Sequence, residues 1–262
     1  MDVARRVQAY IEHSIGALGG QAAVALDGFT LYLHASEADP AENPILPAAD
    51  LPSGSDLTRA IEQALAACAA HGRQPCFSFV DQAAPTLAAA LEAFGLECRE
   101  RLPALVATSA DAIILSERPD LAIETITAGS PLDAIRENLD VNALGFDPTA
   151  ALASAADAEG FRQHLAGSQA FTLRLDGAAV AAGMRTAIHA GVAELTGIAT
   201  LEPFRRRGLA RHLTAALARA AFAAGADLVF LVAATPESAY VYRRAGFADC
   251  GERLAYGVSG AE

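Results

Sequence analysis

The chain has 262 residues and a formal net charge of −12, with 53% hydrophobic and 19% charged residues. This length accommodates one large domain or two of ordinary size, and the apolar content is enough for a sizeable core. The acidic balance argues against nucleic acid as a partner, because phosphate backbones require a basic surface. We find neither an apolar run long enough to span a membrane nor the pattern of a signal peptide. We therefore expect a cytoplasmic protein that has no membrane partner.

The cysteines show no C-x-x-C spacing, which argues against a zinc site and against a disulfide framework. We expect the chain to hold no metal and each cysteine to be a small buried apolar residue. The four are Cys68, Cys76, Cys98 and Cys250.

In the first half, apolar spacing predicts helices and strands in alternation, with a long Pro-rich loop at 40–55 and a linker at 111–121. The predicted helices are 3–18, 56–70 and 85–94, with Asp56 as the cap of the second. The predicted strands are 22–26, 29–33, 77–80 and 97–107. Asp27-Gly28 lies between the first two strands and is typical of a tight hairpin turn.

The second half repeats this alternation and adds two helices near its start. The predicted helices are 131–139, 150–165, 212–224 and 237–245. The predicted strands are 122–127, 171–175, 178–186, 193–200, 228–233 and a last extended segment that ends at 258. The pattern indicates an α/β (α+β) protein.

Three sequence anchors recur in the same order at a separation of about 150 residues. They are Asp27-Gly28 with Asp176-Gly177, Gly72 with Gly225, and Gly95 with Gly246. We interpret them as a duplication, with a chance match of turn residues as the alternative. The repeat predicts two domains, at 1–120 and 121–262.

The stretch 202–211 connects a predicted strand to a predicted helix. The first turn of a helix has unpaired N–H groups and the positive end of the helix dipole, so it attracts anions. Gly208 and Ala210 leave the backbone accessible to a phosphate oxygen. Four arginines add bidentate positive charge: Arg205, Arg206, Arg207 and Arg211. We interpret residues 205–211 as a pyrophosphate cradle, with a solvated basic surface as the alternative. The corresponding stretch of the first half, 52–57, contains no arginine.

The second half resembles the GNAT superfamily of acyl-CoA-dependent N-acetyltransferases. Residues 205–210, Arg-Arg-Arg-Gly-Leu-Ala, match the signature of that family, and 193–200 is similar to the strand before it. Residues 239–247 resemble its closing motif, in which Tyr242 precedes Gly246-Phe247. The resemblance implies a mixed, curved sheet flanked by helices, in two tandem GNAT-like domains. Because Leu91 occupies the position of Tyr242 in the first half, that half is interpreted as a degenerate copy without a cofactor site.

The resemblance also implies roles for individual residues. Acetyl-CoA is the expected cosubstrate, and its pyrophosphate would bind the backbone of the cradle: Arg205, Arg206, Arg207, Gly208, Leu209, Ala210 and Arg211. Its pantetheine arm would pair with Ile198, Ala199 and Thr200. Tyr242 would protonate the leaving thiolate, and Glu194 would act as the general base.

Each of these roles has a structural alternative. Tyr242 is alternatively an aromatic on the inner face of its helix, close to Tyr240, and Glu194 is alternatively a carboxylate at a strand edge. Thr235 stands where the family often has a cofactor-binding Asn, so this contact is in question.

We expect an N-acetyltransferase that moves an acetyl group to a primary amine of a small molecule or peptide. The alternatives are transfer of a longer acyl chain, and a non-catalytic acyl-CoA-binding sensor or partner-binding module. The protein is expected to be a monomer or homodimer.

Overall fold

A computed structural model of the protein describes residues 2–17 and 21–258. The helices are α1 (Val3–Ala17), α2 (Gly54–Ala70), α3 (Leu87–Ala93), α4 (Leu132–Phe146), α5 (Ala155–His164), α6 (Leu209–Ala223) and α7 (Pro236–Ala245). The strands are β1 (Gln21–Leu26), β2 (Phe29–His34), β3 (Ile45–Pro47), β4 (Cys76–Val80), β5 (Glu97–Ala107), β6 (Leu121–Ile126), β7 (Gln169–Leu175), β8 (Ala178–Arg185), β9 (Val192–Thr200), β10 (Leu228–Val232) and β11 (Ala248–Gly257). The predicted helix 3–18 extends one residue into the part of the chain that is not described.

The chain divides into two compact units, and their limits differ from the predicted domains 1–120 and 121–262. The first unit comprises Met1–Ala104 together with Cys250–Glu262, and the second comprises Leu105–Asp249. The difference arises because β11, the last strand, follows the second unit in sequence but pairs antiparallel with β4 of the first unit. Leu254 and Tyr256 of β11 are buried in the core of that unit.

In the first unit the strand order is β1-β2-β3-β4-β11-β5. The predicted hairpin at Asp27-Gly28 is confirmed, with β1 and β2 paired antiparallel around it. The predicted loop at 40–55 is wrong in part, since it contains β3. Ile45 and Leu46 of this strand are fully buried between β2 and β4. The strand is too short for an alternating pattern to be visible in the sequence.

Two further predictions for the first unit need correction. Helix α2 begins at Gly54, with Ser53 in the N-cap position, so Asp56 lies in the first turn instead of capping the helix. Among the cysteines, Cys68 and Cys250 are buried as expected and Cys76 is half-buried, whereas Cys98 is exposed. Burial raises the pKa of the Cys68 and Cys250 thiols to about 11, so neither is a reactive thiolate near neutral pH.

In the second unit the strand order is β10-β9-β8-β7-β6, in which β9 and β10 are parallel and the other pairs antiparallel. One apolar cluster joins α6 and α7 to the sheet through residues such as Leu213, Leu217 and Phe247. A second cluster joins α4 and α5 to β6 and β7 through Ile126, Ile135 and others. The predicted mixed α/β fold, a sheet flanked by helices, is confirmed.

The two units share an order of elements: a hairpin, a strand, a helix, a strand parallel to the previous one, and a helix. In the first unit these are β1–β2, β3, α2, β4 and α3, and β3 pairs parallel with β4. In the second they are β7–β8, β9, α6, β10 and α7. Among the described residues, no helix is both long and apolar enough to cross a membrane.

Candidate active site

The parallel strands β9 and β10 pair over a short distance and then separate. The register joins Val192, Ala193 and Glu194 to Leu228, Val229 and Phe230, after which β9 continues to Thr200 while β10 ends at Val232. On its other edge β9 stays paired with β8 as far as Thr200. The last part of β9 therefore presents one backbone edge that β10 does not cover. The predicted cofactor contacts Ile198, Ala199 and Thr200 all lie in this part.

Strand β9 also contains an irregularity close to this edge. Its register against β8 shifts opposite Ala182–Met184, and Gly197 has a left-handed φ of 62°. The Asn142 side-chain amide donates a hydrogen bond to the Gly197 carbonyl. Asn142 lies on α4 beyond the predicted end of that helix at 139, so the sequence did not indicate this contact. The bulge interrupts the regular pairing of β9 with β8, next to the uncovered edge of β9 where an extended ligand would pair.

Helix α4 approaches this part of β9 closely. At Gly145 an added Cβ would lie 2.7 Å from the Ala199 Cβ and 3.2 Å from the Thr200 nitrogen. A glycine inside a helix usually lowers the stability of that helix. Here it is needed for close packing instead. It follows that α4 fixes the position of the free edge of β9.

The predicted pyrophosphate cradle is a turn that leads into α6. Arg206 and Gly208 both have left-handed backbone conformations, with φ of 66° and 76°. The first hydrogen bond of the helix runs from the His212 nitrogen to the Gly208 oxygen at 3.1 Å. The N–H groups of residues 209–211 precede this bond, so the helix provides no acceptor for them. An added Cβ at Gly208 would meet no atom within 4 Å, so the space beside this turn is open.

The four arginine side chains of the cradle differ in what they contact. The Arg205 guanidinium donates to the carbonyls of Thr200 (3.1 Å) and Gly145 (2.8 Å), so it connects α4 to the end of β9. Arg207 lies over the Phe204 ring at 5.4 Å, and Arg211 donates to the Ser116 hydroxyl at 3.1 Å.

By contrast, the Arg206 guanidinium has no partner among the described residues. It is therefore the cradle side chain that remains free to bind an anion.

His212 directly follows the cradle, and its surroundings lower the pKa of its imidazole. Burial lowers the pKa of its imidazole, and the positive charge of Arg118 lowers it further. Arg118 also donates to the Arg207 carbonyl at 3.5 Å. It was not predicted as a site residue because it lies in the linker, far from the cradle in sequence. The lowered pKa disfavours the charged form of His212, so arginines supply the positive charge of this region.

Tyr242 and Tyr240, both on α7, are in different environments. Tyr242 is 8% exposed, its hydroxyl has no hydrogen-bond partner among the described residues, and burial raises the pKa of its phenol. Tyr240 is 59% exposed and its hydroxyl accepts from Arg244 at 3.1 Å. A buried phenol that keeps its proton is suited to general-acid chemistry, whereas Tyr240 is a surface residue.

Glu194 and Thr235, the two remaining predicted residues, have defined positions. Glu194 is half-buried and occupies the last position of β9 that pairs with β10, where the strands begin to separate. Its backbone nitrogen donates to the Thr186 hydroxyl at 2.9 Å. Thr235 caps α7: its hydroxyl accepts from the Ser238 nitrogen at 3.1 Å, and Ser238 Oγ accepts from the Thr235 nitrogen. The Thr235 side chain thus has a structural partner.

Residues 137–247 match the model of the acetyltransferase (GNAT) family. The whole chain is similar to a solved structure of a GCN5-related N-acetyltransferase from Kribbella flavida, with 25% identity and a TM-score of 0.78 over 100% of this chain and 97% of that one. A tandem GNAT protein from the clavulanic acid biosynthesis pathway matches at 14% identity and a TM-score of 0.59, over 87% and 77% of the two chains. A search of curated proteins gives no match.

A third solved structure carries a different name on the same fold. The C-terminal domain of a putative lysylphosphatidylglycerol synthetase from Agrobacterium fabrum matches at 14% identity and a TM-score of 0.57, over 99% of this chain and 92% of that one. The fold by itself therefore does not specify the substrates.

Proposed function

We propose that the protein is an acyltransferase that transfers an acetyl group from acetyl-CoA to a primary amine of a small molecule or peptide, because residues 137–247 match the model of the acetyltransferase (GNAT) family. The observation that carries this proposal is the turn at 205–211. It combines two left-handed positions, a helix start with unused N–H groups, and the unpartnered Arg206 guanidinium. Such a combination binds a diphosphate.

The residues present fit acetyl-CoA. The N–H groups of the cradle and the Arg206 guanidinium would hold its pyrophosphate, and the uncovered edge of β9 at Ile198, Ala199 and Thr200 would pair with its pantetheine arm. Acetyl-CoA supplies, when bound, an acyl group already activated as a thioester. We assign no cofactor contact to the Thr235 side chain, because it caps α7.

Tyr242 and Glu194 are proposed to move the two protons of the transfer. The Tyr242 hydroxyl gives its proton to the leaving sulfur, which is consistent with a buried phenol whose pKa is raised. The Glu194 carboxylate takes one proton from the acceptor ammonium, directly or through water, from its position where β9 and β10 separate. The nitrogen loses its second proton as the C–N bond forms and the C–S bond breaks, and this proton replaces the one that Tyr242 gives to sulfur. The polar edge of β9 next to the bulge at Gly197 orients the acyl carbonyl.

The first unit is proposed to be a degenerate copy of the same fold that has lost the cofactor site. It has the same order of elements, but Leu91, at the position of Tyr242, is fully buried in the apolar core. The stretch 52–57 that begins α2 has no arginine. This unit therefore has neither the proton donor nor the cationic side chains of the second.

The proposal is tested with the full chain by measuring thiol release from acetyl-CoA with a panel of polyamines, amino acids, aminoglycosides and basic peptides. We expect turnover with at least some amines, and faster turnover with acetyl-CoA than with longer acyl-CoAs. If the chain binds coenzyme A without turnover on any amine, the assignment of an amine acceptor fails. Preference for a longer acyl-CoA would overturn the acetyl assignment alone.

A further inference from the structure

The described residues of the first unit form a pocket that contains positively charged and hydrogen-bond-donating side chains. It has a volume of about 470 Å³ and lies where β2 ends and α2 ends. It is lined by Gln21, Ala22, Leu33, His34, Ala35, His71 and Arg73. No Asp or Glu is among the described residues that line it, although the protein as a whole has a net charge of −12. Its size is within the range of small-molecule sites.

Arg73 brings an uncompensated charge to this pocket. Its Nε donates to the Asn43 Oδ1 at 3.3 Å and its Nη2 donates to the His34 carbonyl at 3.1 Å. Both acceptors are neutral, and Arg73 forms no ion pair with any described residue. The N–H groups of Nη1 have no acceptor among the described residues. The Nη1 N–H groups of the half-buried guanidinium therefore remain available to donate to an anion.

His34 is held in an orientation that makes it a donor. Its Nδ1 accepts hydrogen bonds from the backbone nitrogens of Ser36 (3.3 Å) and Glu37 (3.0 Å). A ring nitrogen that accepts carries no proton, so the proton of the neutral imidazole is on Nε2. His71, the C-cap residue of α2, is exposed and its ring has no partner among the described residues. Arg73, His34 and His71 therefore all offer N–H donors.

A hydrogen-bond network around Asn43 holds one side of the pocket. Asn43 is fully buried, and its side-chain nitrogen donates to the carbonyls of Glu37 (3.0 Å) and Asp39 (2.8 Å). Its side-chain oxygen accepts from the backbone nitrogen of His34 at 2.8 Å and from the Nε of Arg73 at 3.3 Å. This network fixes the loop 35–43 and, through it, the position of Arg73 and His34. Donors that are positioned in advance bind a ligand at a lower entropic cost.

We propose that the pocket at Arg73, His34 and His71 binds the carboxylate or phosphate group of a small molecule, so that the first unit carries a ligand site of its own. The imidazoles of His34 and His71 and the Nη1 N–H groups of Arg73 line one cavity and can each donate to an oxyanion, and no carboxylate is among the described residues that line it. The site uses no residue of the cradle, Tyr242 or Glu194, so it is independent of the proposed acetyl transfer.

The experiment follows the histidine ring signals of the full chain by NMR during separate titrations with succinate and with inorganic phosphate, against sodium chloride at matched ionic strength. We expect a saturable shift of the His34 and His71 signals with one of the two probes, which identifies the group that is bound. His71→Gln and Arg73→Gln should each weaken binding about tenfold, the loss of one charge-assisted hydrogen bond.

The control is Arg59→Gln on α2, because Arg59 is exposed and its one ion pair among the described residues is with Asp56. It should leave binding unchanged. His71→Gln is the decisive variant, since the His71 side chain forms no hydrogen bond or ion pair with the residues that the structure describes, whereas Arg73→Gln also removes two hydrogen bonds that hold the loop. Shifts that do not saturate, shifts equal to those with chloride, or equal affinity in His71→Gln would each overturn the proposal.

Discussion

At the level of single residues, the catalytic proposal depends on the difference between two tyrosines of one helix. Tyr242 is buried with an unpartnered hydroxyl, and Tyr240 is exposed and paired with Arg244. We predict that Tyr242→Phe lowers kcat about 10²- to 10⁴-fold, the range of general-acid catalysis, without changing the affinity for coenzyme A. Tyr240→Phe is the matched control and should retain activity. Equal kcat values for the two variants would show that Tyr242 is only a packing residue.

The raised pKa of Tyr242 gives a pH dependence with a definite sign. The protonated phenol is the active form, and burial keeps it protonated above the ordinary tyrosine pKa of 10.0. We therefore expect that loss of the Tyr242 proton does not lower kcat between neutral pH and about pH 10, and that kcat falls only at higher pH. The measurement is a kcat profile of the wild type and of Tyr242→Phe. A fall near pH 8 that disappears in the variant would contradict the environment described for Tyr242.

The sequence predicted the elements that contain these residues better than the contacts of their side chains. The motif order placed Tyr242 on α7 and the cradle at the start of α6, although α6 begins at Leu209 and not at the predicted residue 212. It could not show that Arg205 is bonded to Thr200 and Gly145, or that Thr235 caps its helix with Ser238. These contacts depend on side-chain geometry and on segments far apart in sequence.

At the level of elements, α4 is predicted to hold the uncovered edge of β9 in place through Gly145. Gly145→Ala would place a methyl group 2.7 Å from the Ala199 Cβ. We expect it to lower the free energy of unfolding by about 1–3 kcal/mol and to weaken coenzyme A binding. Urea unfolding and calorimetry measure the two effects.

Gly160→Ala provides the control for this substitution. Gly160 lies within α5, and an added Cβ there would meet no atom within 4 Å. Alanine should therefore stabilise the protein slightly, by about 0.5–1 kcal/mol, through its helix propensity. If Gly145→Ala and Gly160→Ala both stabilise the protein, α4 does not pack against β9 as closely as described.

Most elements were predictable because amphipathic spacing and turn residues mark them. The exceptions have physical causes. β3 is three residues long, so Ile45 and Leu46 produce no periodic signal. Helix α4 continues past residue 139 to Phe146, and this extension includes Gly145, a weak helix former that packs closely against Ala199.

At the level of the whole molecule, the C-terminal strand belongs to the core of the first unit. Tyr256 is 1% exposed, stacks on Phe79 and donates to Glu92 at 2.9 Å. We predict that Tyr256→Ala costs about 3–5 kcal/mol of unfolding free energy, as for other large buried aromatics. Hydrogen exchange should increase in β4, which pairs with β11.

Tyr240→Ala is the matched control for this loss, because Tyr240 is 59% exposed. It should change the unfolding free energy by no more than about 0.5 kcal/mol. Faster exchange in β10 but not in β4 would contradict the assignment of β11 to the first unit. The internal repeat predicted two similar halves, but a linear comparison could not show that the final strand joins the other half.

The most direct test of the account is calorimetric titration of the full chain with coenzyme A. We predict saturable binding that Arg206→Gln weakens about tenfold, through loss of the free guanidinium. Gly208→Val should weaken it further, because a β-branched residue is strained at a φ of 76°. Arg136→Gln, at a half-buried arginine of α4 that pairs with Asp133, should leave it unchanged. No binding by the wild type, or equal binding by all three variants, would contradict the claim that residues 205–211 hold the diphosphate.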